Sequence, residues 1–198
     1  MHTVLVIIKK TTDFLAGKGV ENARLNAEHL VGHALGLKRM QLYLQFERPL
    51  TEPELVVIRS MVKRRGQREP LQYIVGETEF FGVELKVDRR ALIPRPETEY
   101  LLSLVVEKVV TAPARILDLG TGSGAIALGL ANHYATAKVL GVDVSAAAVA
   151  LARENTAALA LENRVTISQS DWFEQISPGS QFDLIVANPP YLSATETA

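Results

Sequence analysis

The chain has 198 residues, of which 47% are hydrophobic and 22% charged, and its formal net charge is −1. This composition supplies enough apolar side chains for a sizeable core and excludes disordered and fibrous classes of protein. The sequence contains no cysteine, which excludes disulfides, thiolate metal sites and a cysteine nucleophile. The absence of cysteine is also typical of a protein of the reducing cytoplasm.

The first residues carry the one candidate for a targeting or membrane segment. Apolar residues 4–8 are followed directly by Lys9 and Lys10. The run is too short for a secretory signal core and much shorter than the roughly 20 residues that span a bilayer. We therefore expect a soluble, cytoplasmic protein with no membrane partner and no metal site.

Charge is distributed unevenly along the chain. Residues 1–90 carry 15 basic and 11 acidic side chains, a net charge of +4, whereas residues 91–198 carry 6 and 11, a net charge of −5. The basic excess in residues 1–90 can attract an anionic partner. A helix face that is simply exposed to solvent is the simpler explanation of the basic residues. Five residues supply much of the basic excess: Arg59, Lys63, Arg64, Arg65 and Arg68.

Residues 1–68 predict a small helical domain. Through about the first 65 positions, apolar residues recur at three- and four-residue spacing without sustained alternation, which is typical of amphipathic helices. Gly17 and Gly36 are placed to end two of these helices. Thr51 and Glu54 form a capping box with Pro53 in the first turn, so another helix is predicted to begin there.

Residues 69–96 predict a β-hairpin followed by a stiff connector. Two segments, 72–75 and 79–87, are rich in aromatic and β-branched residues, with Gly76 between them. Residues 93–96 read Ile-Pro-Arg-Pro and are expected to be extended rather than helical. Each proline fixes its own φ and disfavours helical geometry in the residue before it.

Residues 97–198 predict an α/β domain. Apolar runs at 115–119, 138–142, 165–168 and 182–187 are expected to be strands, and helical patterns at 125–133 and 146–158 lie between them. Alternating strands and helices of this length favour a parallel sheet with helices on both faces. Ligands of such sheets bind at the carboxyl ends of the strands.

A glycine-rich loop and an acidic residue suggest a nucleoside site in this domain. The loop is Asp118-Leu119-Gly120-Thr121-Gly122-Ser123-Gly124, and Asp143 ends the next predicted strand. The glycines let the backbone approach a ligand, and Asp143 is placed to accept from both ribose hydroxyls. The pattern also satisfies a dinucleotide fingerprint. Asp118 favours S-adenosylmethionine, because a carboxylate here attracts a cation and repels a pyrophosphate.

Two further segments follow predicted strands. Asp171 and Trp172 offer an acceptor for the adenine amine and a flat apolar surface, although the tryptophan taken alone is as often a core residue. Asn188-Pro189-Pro190-Tyr191 forms a rigid loop in which the Asn188 side-chain carbonyl and the Pro189 backbone carbonyl can accept from a planar NH₂ group, while Tyr191 stacks on it. These acceptors predict methylation of a planar amine.

Together these motifs resemble class I methyltransferases that act on planar amino groups. With residues 70–82 (PLQYIVGETEFFG) and 92–99 (LIPRPETE), they resemble the protein-glutamine N5-methyltransferases of the HemK/PrmC type. The resemblance implies a class I, Rossmann-like fold and methylation of the GGQ glutamine of peptide chain release factors. It implies cofactor contacts from residues 120–124, Asp143, Trp172 and Asn188, a substrate loop at 188–191 bordered by Arg95 and Glu97, and docking of the factor by the helical domain and hairpin.

Members of that family continue beyond this loop, whereas the chain stops seven residues after Tyr191. We therefore expect a fragment with an incomplete sheet, whose apolar run at 184–186 leaves an unpaired edge that promotes self-association. Two alternatives remain open. One is a DNA or RNA amino-group methyltransferase, against which the net charge of −5 in residues 91–198 argues, so no direct nucleic-acid contact is expected. The other is an inactive adaptor.

Overall fold

The computed structural model describes residues 2–188, and the chain divides into two compact units, Met1–Val75 and Gly76–Ala198. The described part of the first unit consists of α-helices, apart from an isolated antiparallel bridge between Thr3 and Pro49. The helices are α1 Val4–Gly17, α2 Ala23–Leu35, α3 Arg39–Tyr43, α4 Glu52–Gly66 and α5 Leu71–Val75. Helix α4 begins at the predicted capping box of Thr51 and Glu54.

The prediction of a strand over residues 72–75 is wrong, because these residues belong to helix α5. The Ile74 N–H donates to the Pro70 carbonyl at 3.2 Å, so the helix begins directly after this proline. The side chain of Ile74 is buried in an apolar cluster with Leu15, Leu30 and Met61. Burial against other helices overrides the intrinsic β-propensity of the segment.

Basic residues on α4 and directly after it make contacts within the first unit. Arg64 pairs with Glu69 at 2.7 Å, and Arg65 donates to the Asn26 Oδ1 atom at 2.7 Å. Arg68 donates to the Gly19 carbonyl at 2.9 Å. Part of the charge cluster therefore holds helices and loops of one unit together, a role that differs from both a solvated helix face and the attraction of an anionic partner.

The second unit contains an antiparallel hairpin and a parallel sheet. Its elements are β1 Glu77–Phe80, β2 Val83–Lys86, α6 Pro96–Lys108, β3 Arg115–Leu119, α7 Ala125–His133, β4 Lys138–Asp143, α8 Ala146–Ala158, β5 Val165–Gln169 and β6 Leu184–Ala187. The described strands of the main sheet are all parallel and are ordered β5-β4-β3-β6. The predicted α/β class is confirmed, and α7 and α8 have the predicted bounds.

Pro96 departs from the extended connector that the sequence predicts. It is the first residue of helix α6, and Arg95 is the N-cap with φ −97° and ψ 149°. Proline is tolerated at this first position because its missing N–H would have no partner within the helix. The connector therefore ends at Arg95. Within residues 2–188, no helix has the length and apolarity that a membrane span requires.

Candidate active site

Several of the predicted site residues lie at one edge of the main sheet. Gly120, Ser170 and Asn188 follow directly on β3, β5 and β6, and Asp143 is the last residue of β4. Since these strands are parallel and adjacent, their carboxyl ends meet at this edge. The sheet therefore brings together the glycine loop, the ribose candidate and the substrate-loop asparagine, as the sequence predicts for a ligand site of an open α/β sheet.

The glycine loop turns sharply from β3 into α7. Gly120, Gly122 and Gly124 have φ values of 73°, 57° and 85°, which L residues rarely adopt. A Cβ on Gly122 would meet no atom closer than the Ala91 Cβ, at 4.0 Å, in the described part of the chain. The Gly120 and Thr121 N–H groups both donate to the Val142 carbonyl at 2.9 Å, which holds the loop against β4.

Asp118 lies beneath this loop. Its side chain has no exposed surface, and its Oδ2 atom accepts from the Thr121 hydroxyl at 2.6 Å and the Ala127 N–H at 3.1 Å. Its Oδ1 atom is buried without a hydrogen-bond partner in the described structure. Burial is the main cause that raises the pKa of Asp118, the nearby Asp143 also raises it, and the hydrogen bonds from Thr121 and Ala127 lower it; the resulting pKa is about 7. The structure thus places Asp118, a predicted cofactor-binding residue, beneath the glycine loop, where its carboxylate contacts the loop itself.

Asp143 is half-buried and ties the glycine loop to β4. Its Oδ2 atom accepts from the Gly122 N–H at 2.9 Å, and its Oδ1 atom accepts from the Ser145 N–H at 2.9 Å. Each carboxylate oxygen can accept more than one hydrogen bond, so both oxygens retain capacity for ribose hydroxyls. The residue therefore combines a structural contact with acceptor capacity at the carboxyl edge of the sheet.

Replacing Asp143 by alanine should weaken the affinity for S-adenosylmethionine at least tenfold, since each lost charge-assisted hydrogen bond is worth about 1.5–3 kcal/mol. Titration calorimetry measures this directly. The matched control is Asp183→Ala, because Asp183 also accepts from two backbone N–H groups, those of Ala114 and Arg115, at the opposite edge of the sheet. Equal affinities of D143A and D183A would contradict the role of Asp143.

Asp171 and Trp172 are exposed and follow Ser170 after the end of β5, and Trp172 is about half exposed. The turn that carries them is held by Ser170, which is buried and which no sequence pattern singles out. Its hydroxyl donates to the Trp172 carbonyl and accepts from the Gln175 N–H, both at 3.0 Å. The Ser170 N–H also donates to the Asp143 carbonyl at 3.0 Å. Ser170 therefore links the backbone of the ribose candidate Asp143 to that of the adenine candidate Trp172.

Asn188 is half-buried at the end of β6, and its Nδ2 atom donates to the Thr98 hydroxyl at 2.7 Å. Thr98 is buried in the first turn of α6, which also carries the exposed Glu97 and begins after the exposed N-cap Arg95. The structure thus brings the 92–99 motif to Asn188. Pro189, Pro190 and Tyr191, the other predicted substrate contacts, lie outside the described residues.

Asn155 on α8 links the hairpin to the glycine loop, and no sequence motif points to it. Its side chain is 1% exposed. Its Nδ2 atom donates to the Ser123 carbonyl at 2.8 Å and to the Lys86 carbonyl at 3.0 Å, while its Oδ1 atom accepts from the Lys86 N–H at 2.8 Å. The hairpin is therefore part of the framework that supports the cofactor loop.

An ion-pair cluster reinforces this link at the surface. Arg90 donates to both carboxylate oxygens of Glu154 at 2.6 and 2.9 Å and also pairs with Asp88. Lys86 contacts the same Glu154 at 2.6 Å. Arg90 and Lys86 lower the pKa of Glu154 to about 2. The connector after β2 is thereby held to α8, next to the hydrogen bonds of Asn155.

Comparisons with known proteins agree with this arrangement. The PrmC N-terminal domain model matches residues 7–76, and the methyltransferase small domain model matches residues 96–198. The release factor glutamine methyltransferase of Rhodopirellula baltica is 40% identical over 98% of this chain and 67% of its own length. That of Chlorobaculum tepidum is 43% identical over 99% of this chain and 70% of its own length.

Among solved structures, the chain is similar to a SAM-dependent methyltransferase from Thiobacillus denitrificans in complex with S-adenosyl-L-homocysteine. The two are 26% identical, the match covers 47% of this chain and 36% of that chain, and the TM-score is 0.39. The chain spans about two thirds of the length of the two curated relatives.

Proposed function

Because the chain belongs to the release factor glutamine methyltransferase family, we propose that it methylates the side-chain amide nitrogen of the GGQ glutamine in peptide chain release factors. The methyl donor is S-adenosylmethionine. The observation that carries the proposal is the position of Asn188. It lies at the end of β6, beside the strand that leads into the glycine loop, and its amide is held by Thr98.

The residues of the edge fit an adenosine cofactor. The positive-φ glycines let a ligand approach the loop backbone, and Asp143 presents a carboxylate beside the loop. Asp143 would hold the ribose, and Asp171 with Trp172 would hold the adenine. The loop residues Gly120, Thr121, Gly122, Ser123 and Gly124 would surround the remainder. When bound, S-adenosylmethionine supplies a methyl group on a positively charged sulfur.

The contribution of the chain to methyl transfer is to orient a weak nucleophile. An amide nitrogen is a poor nucleophile because its lone pair is delocalised into the carbonyl. The Asn188 carbonyl and the Pro189 backbone carbonyl would accept from the two hydrogens of the substrate NH₂ group, which favours positive charge on that nitrogen and fixes its direction of approach. Tyr191 and Pro190 would confine the planar group, with Arg95 and Glu97 at the border of the pocket.

Three segments of the chain would have different roles in this function. Residues 1–68 would help dock the release factor, residues 69–96 would support the site through the hairpin and connector, and residues 97–198 would carry the methyltransferase site. The hydrogen bonds of Asn155 support the second assignment, because they connect β2 to the glycine loop. A cytoplasmic location and a protein substrate, without direct nucleic-acid contact, belong to the same proposal.

Mass spectrometry of a release factor incubated with the chain and S-adenosylmethionine tests the function. We expect one added methyl group on the GGQ glutamine, and none on a release factor in which that glutamine is replaced by alanine. Parallel reactions contain double-stranded DNA, RNA or buffer alone in place of the release factor. Methylation of a nucleic acid with none on the release factor would contradict the proposal, and binding of the factor without any methyl transfer would favour the inactive adaptor.

A further inference from the structure

The hydrogen bond between Asn188 and Thr98 joins two segments that are 90 positions apart in sequence. Thr98 lies in the first turn of α6, where its backbone N–H donates to the Arg95 carbonyl at 3.0 Å. Its side chain is 8% exposed, although threonine is usually found at the surface. The contact thus places a buried hydroxyl against the side-chain amide at the end of β6.

We propose that Thr98 is a positioning residue that holds the Asn188 amide in the orientation needed to receive the substrate glutamine. This inference rests on the proposed function. With Nδ2 donating to Thr98, the planar amide has Oδ1 at its opposite end, as an acceptor. An asparagine turned the other way would present N–H donors to the donors of the substrate NH₂ group.

The torsion that decides this orientation is soft. The terminal torsion of asparagine is broad and roughly two-fold, so the amide needs a hydrogen-bond partner to stay in one plane. Threonine suits this task because branching at Cβ restricts its first side-chain torsion. With this torsion restricted, the position of the Thr98 hydroxyl is determined by the helix that carries the residue.

Helix α6 is itself well fixed at this end. The Glu99 Oε1 atom accepts from the Phe81 N–H at 2.9 Å, which ties the first turn of the helix to the hairpin turn. One turn further on, Leu102 is fully buried in the core of the unit. A Cβ added to Gly129 would lie 3.2 Å from the Leu102 Cδ2 atom, so α7 packs closely against the helix here. Thr98 therefore lies on a helix end that hydrogen bonding and packing hold in place.

The first test compares Thr98→Val, which keeps the shape and removes the acceptor, with Thr98→Ser, which keeps the hydroxyl. We expect T98V to lower kcat for release factor methylation about 10–100-fold with KM within about twofold of wild type, and T98S to restore most of the rate. The matched control is Thr156→Val on α8. The Thr156 side chain is 3% exposed, and its hydroxyl donates to the Ala152 carbonyl at 2.8 Å. T156V should lose stability and keep the wild-type kcat.

The second test does not depend on activity. In nitrogen-15-labelled protein, the side-chain NH₂ resonances of Asn188 are assigned by their loss in N188A. We expect them to move towards those of a solvent-exposed asparagine in T98V and to stay near the wild-type position in T98S. Unchanged resonances in T98V, or a T98V kcat within twofold of wild type, would overturn the inference. Absence of methylation by wild-type chain would instead count against the proposed function, while the resonances still decide whether Thr98 holds Asn188.

Discussion

Replacing Asn188 by alanine should lower kcat for release factor methylation by about 10²–10³-fold, the usual effect of removing one preorganised hydrogen-bonding group from a polar transition state. The side chain is only half-buried, and its amide donates to Thr98. Loss of that hydrogen bond costs about 1 kcal/mol, which lowers the unfolding midpoint by a few degrees. Single-turnover kinetics with saturating cofactor measure the rate, and thermal unfolding measures the stability.

Asn163→Ala is the matched control for this prediction. Asn163 is an exposed asparagine beside a strand, but it precedes β5 and so lies at the opposite edge of the sheet. N163A should retain the wild-type kcat. A rate of N188A close to that of N163A, with product formed on the same glutamine, would refute the role of Asn188. A large fall in the unfolding midpoint of N188A would show that the residue acts mainly in folding.

The elements that the sequence predicts correctly are those that short-range patterns specify. The glycine loop needs positive φ at Gly120, Gly122 and Gly124, and glycine is the residue that adopts it without strain. The helices at 125–133 and 146–158 are found with the predicted bounds because strand endings and helix caps lie close to them in sequence. Once the strands between these helices pair as a parallel sheet, the residues at the carboxyl ends of the strands lie at the same edge.

The errors arise where packing decides the conformation. Residues 72–75 have the composition of a strand, yet Ile74 completes an apolar cluster between helices and the segment is helical. The burial of Asp118 also depends on packing, because its position within β3 directs the side chain into the interior, where Thr121 and Ala127 donate to it. Neither outcome can be read from neighbouring residues, because each depends on which elements surround the segment.

The supporting residues of the site carry no sequence signal for the same reason. The bonds of Asn155 to Lys86 and of Asn188 to Thr98 span 69 and 90 positions. No periodicity or spacing rule connects residues so distant. Only the LIPRPETE resemblance brings residues 95–98 near the substrate loop, and it does not single out Thr98.

Asp118 should make the stability of the second unit fall as the pH rises. Its pKa is about 7 in the folded protein, against 3.8 for an unperturbed aspartate, so the folded state binds the proton more tightly. The stabilising contribution is complete below pH 4 and is lost as the pH rises through 7. This difference between the folded and unfolded pKa corresponds to at most about 4 kcal/mol, of which about 3 kcal/mol falls between pH 5 and 8.

Asp118→Asn isolates this contribution. The asparagine carbonyl can accept from Thr121 and Ala127, and its NH₂ group takes the place of the protonated Oδ1 atom, so the variant imitates the neutral acid. Urea unfolding followed by the fluorescence of Trp172, the one tryptophan of the chain, should show D118N gaining about 3 kcal/mol relative to wild type between pH 5 and 8. A constant difference between the two proteins across this range would exclude a raised pKa.

The same carboxylate predicts the effect of D118N on ligand affinity. Buried beneath the glycine loop, Asp118 has no surface for contact and can act on a bound cation only through its electric field. S-adenosylmethionine carries a sulfonium charge that S-adenosylhomocysteine lacks. At pH 8, where Asp118 is ionised, D118N should therefore weaken the first ligand several-fold more than the second. At pH 5 the wild-type carboxyl is neutral, and the two proteins should distinguish the ligands equally. Equal losses for both ligands at pH 8 would mean that Asp118 serves only to hold Thr121 and Ala127 in place.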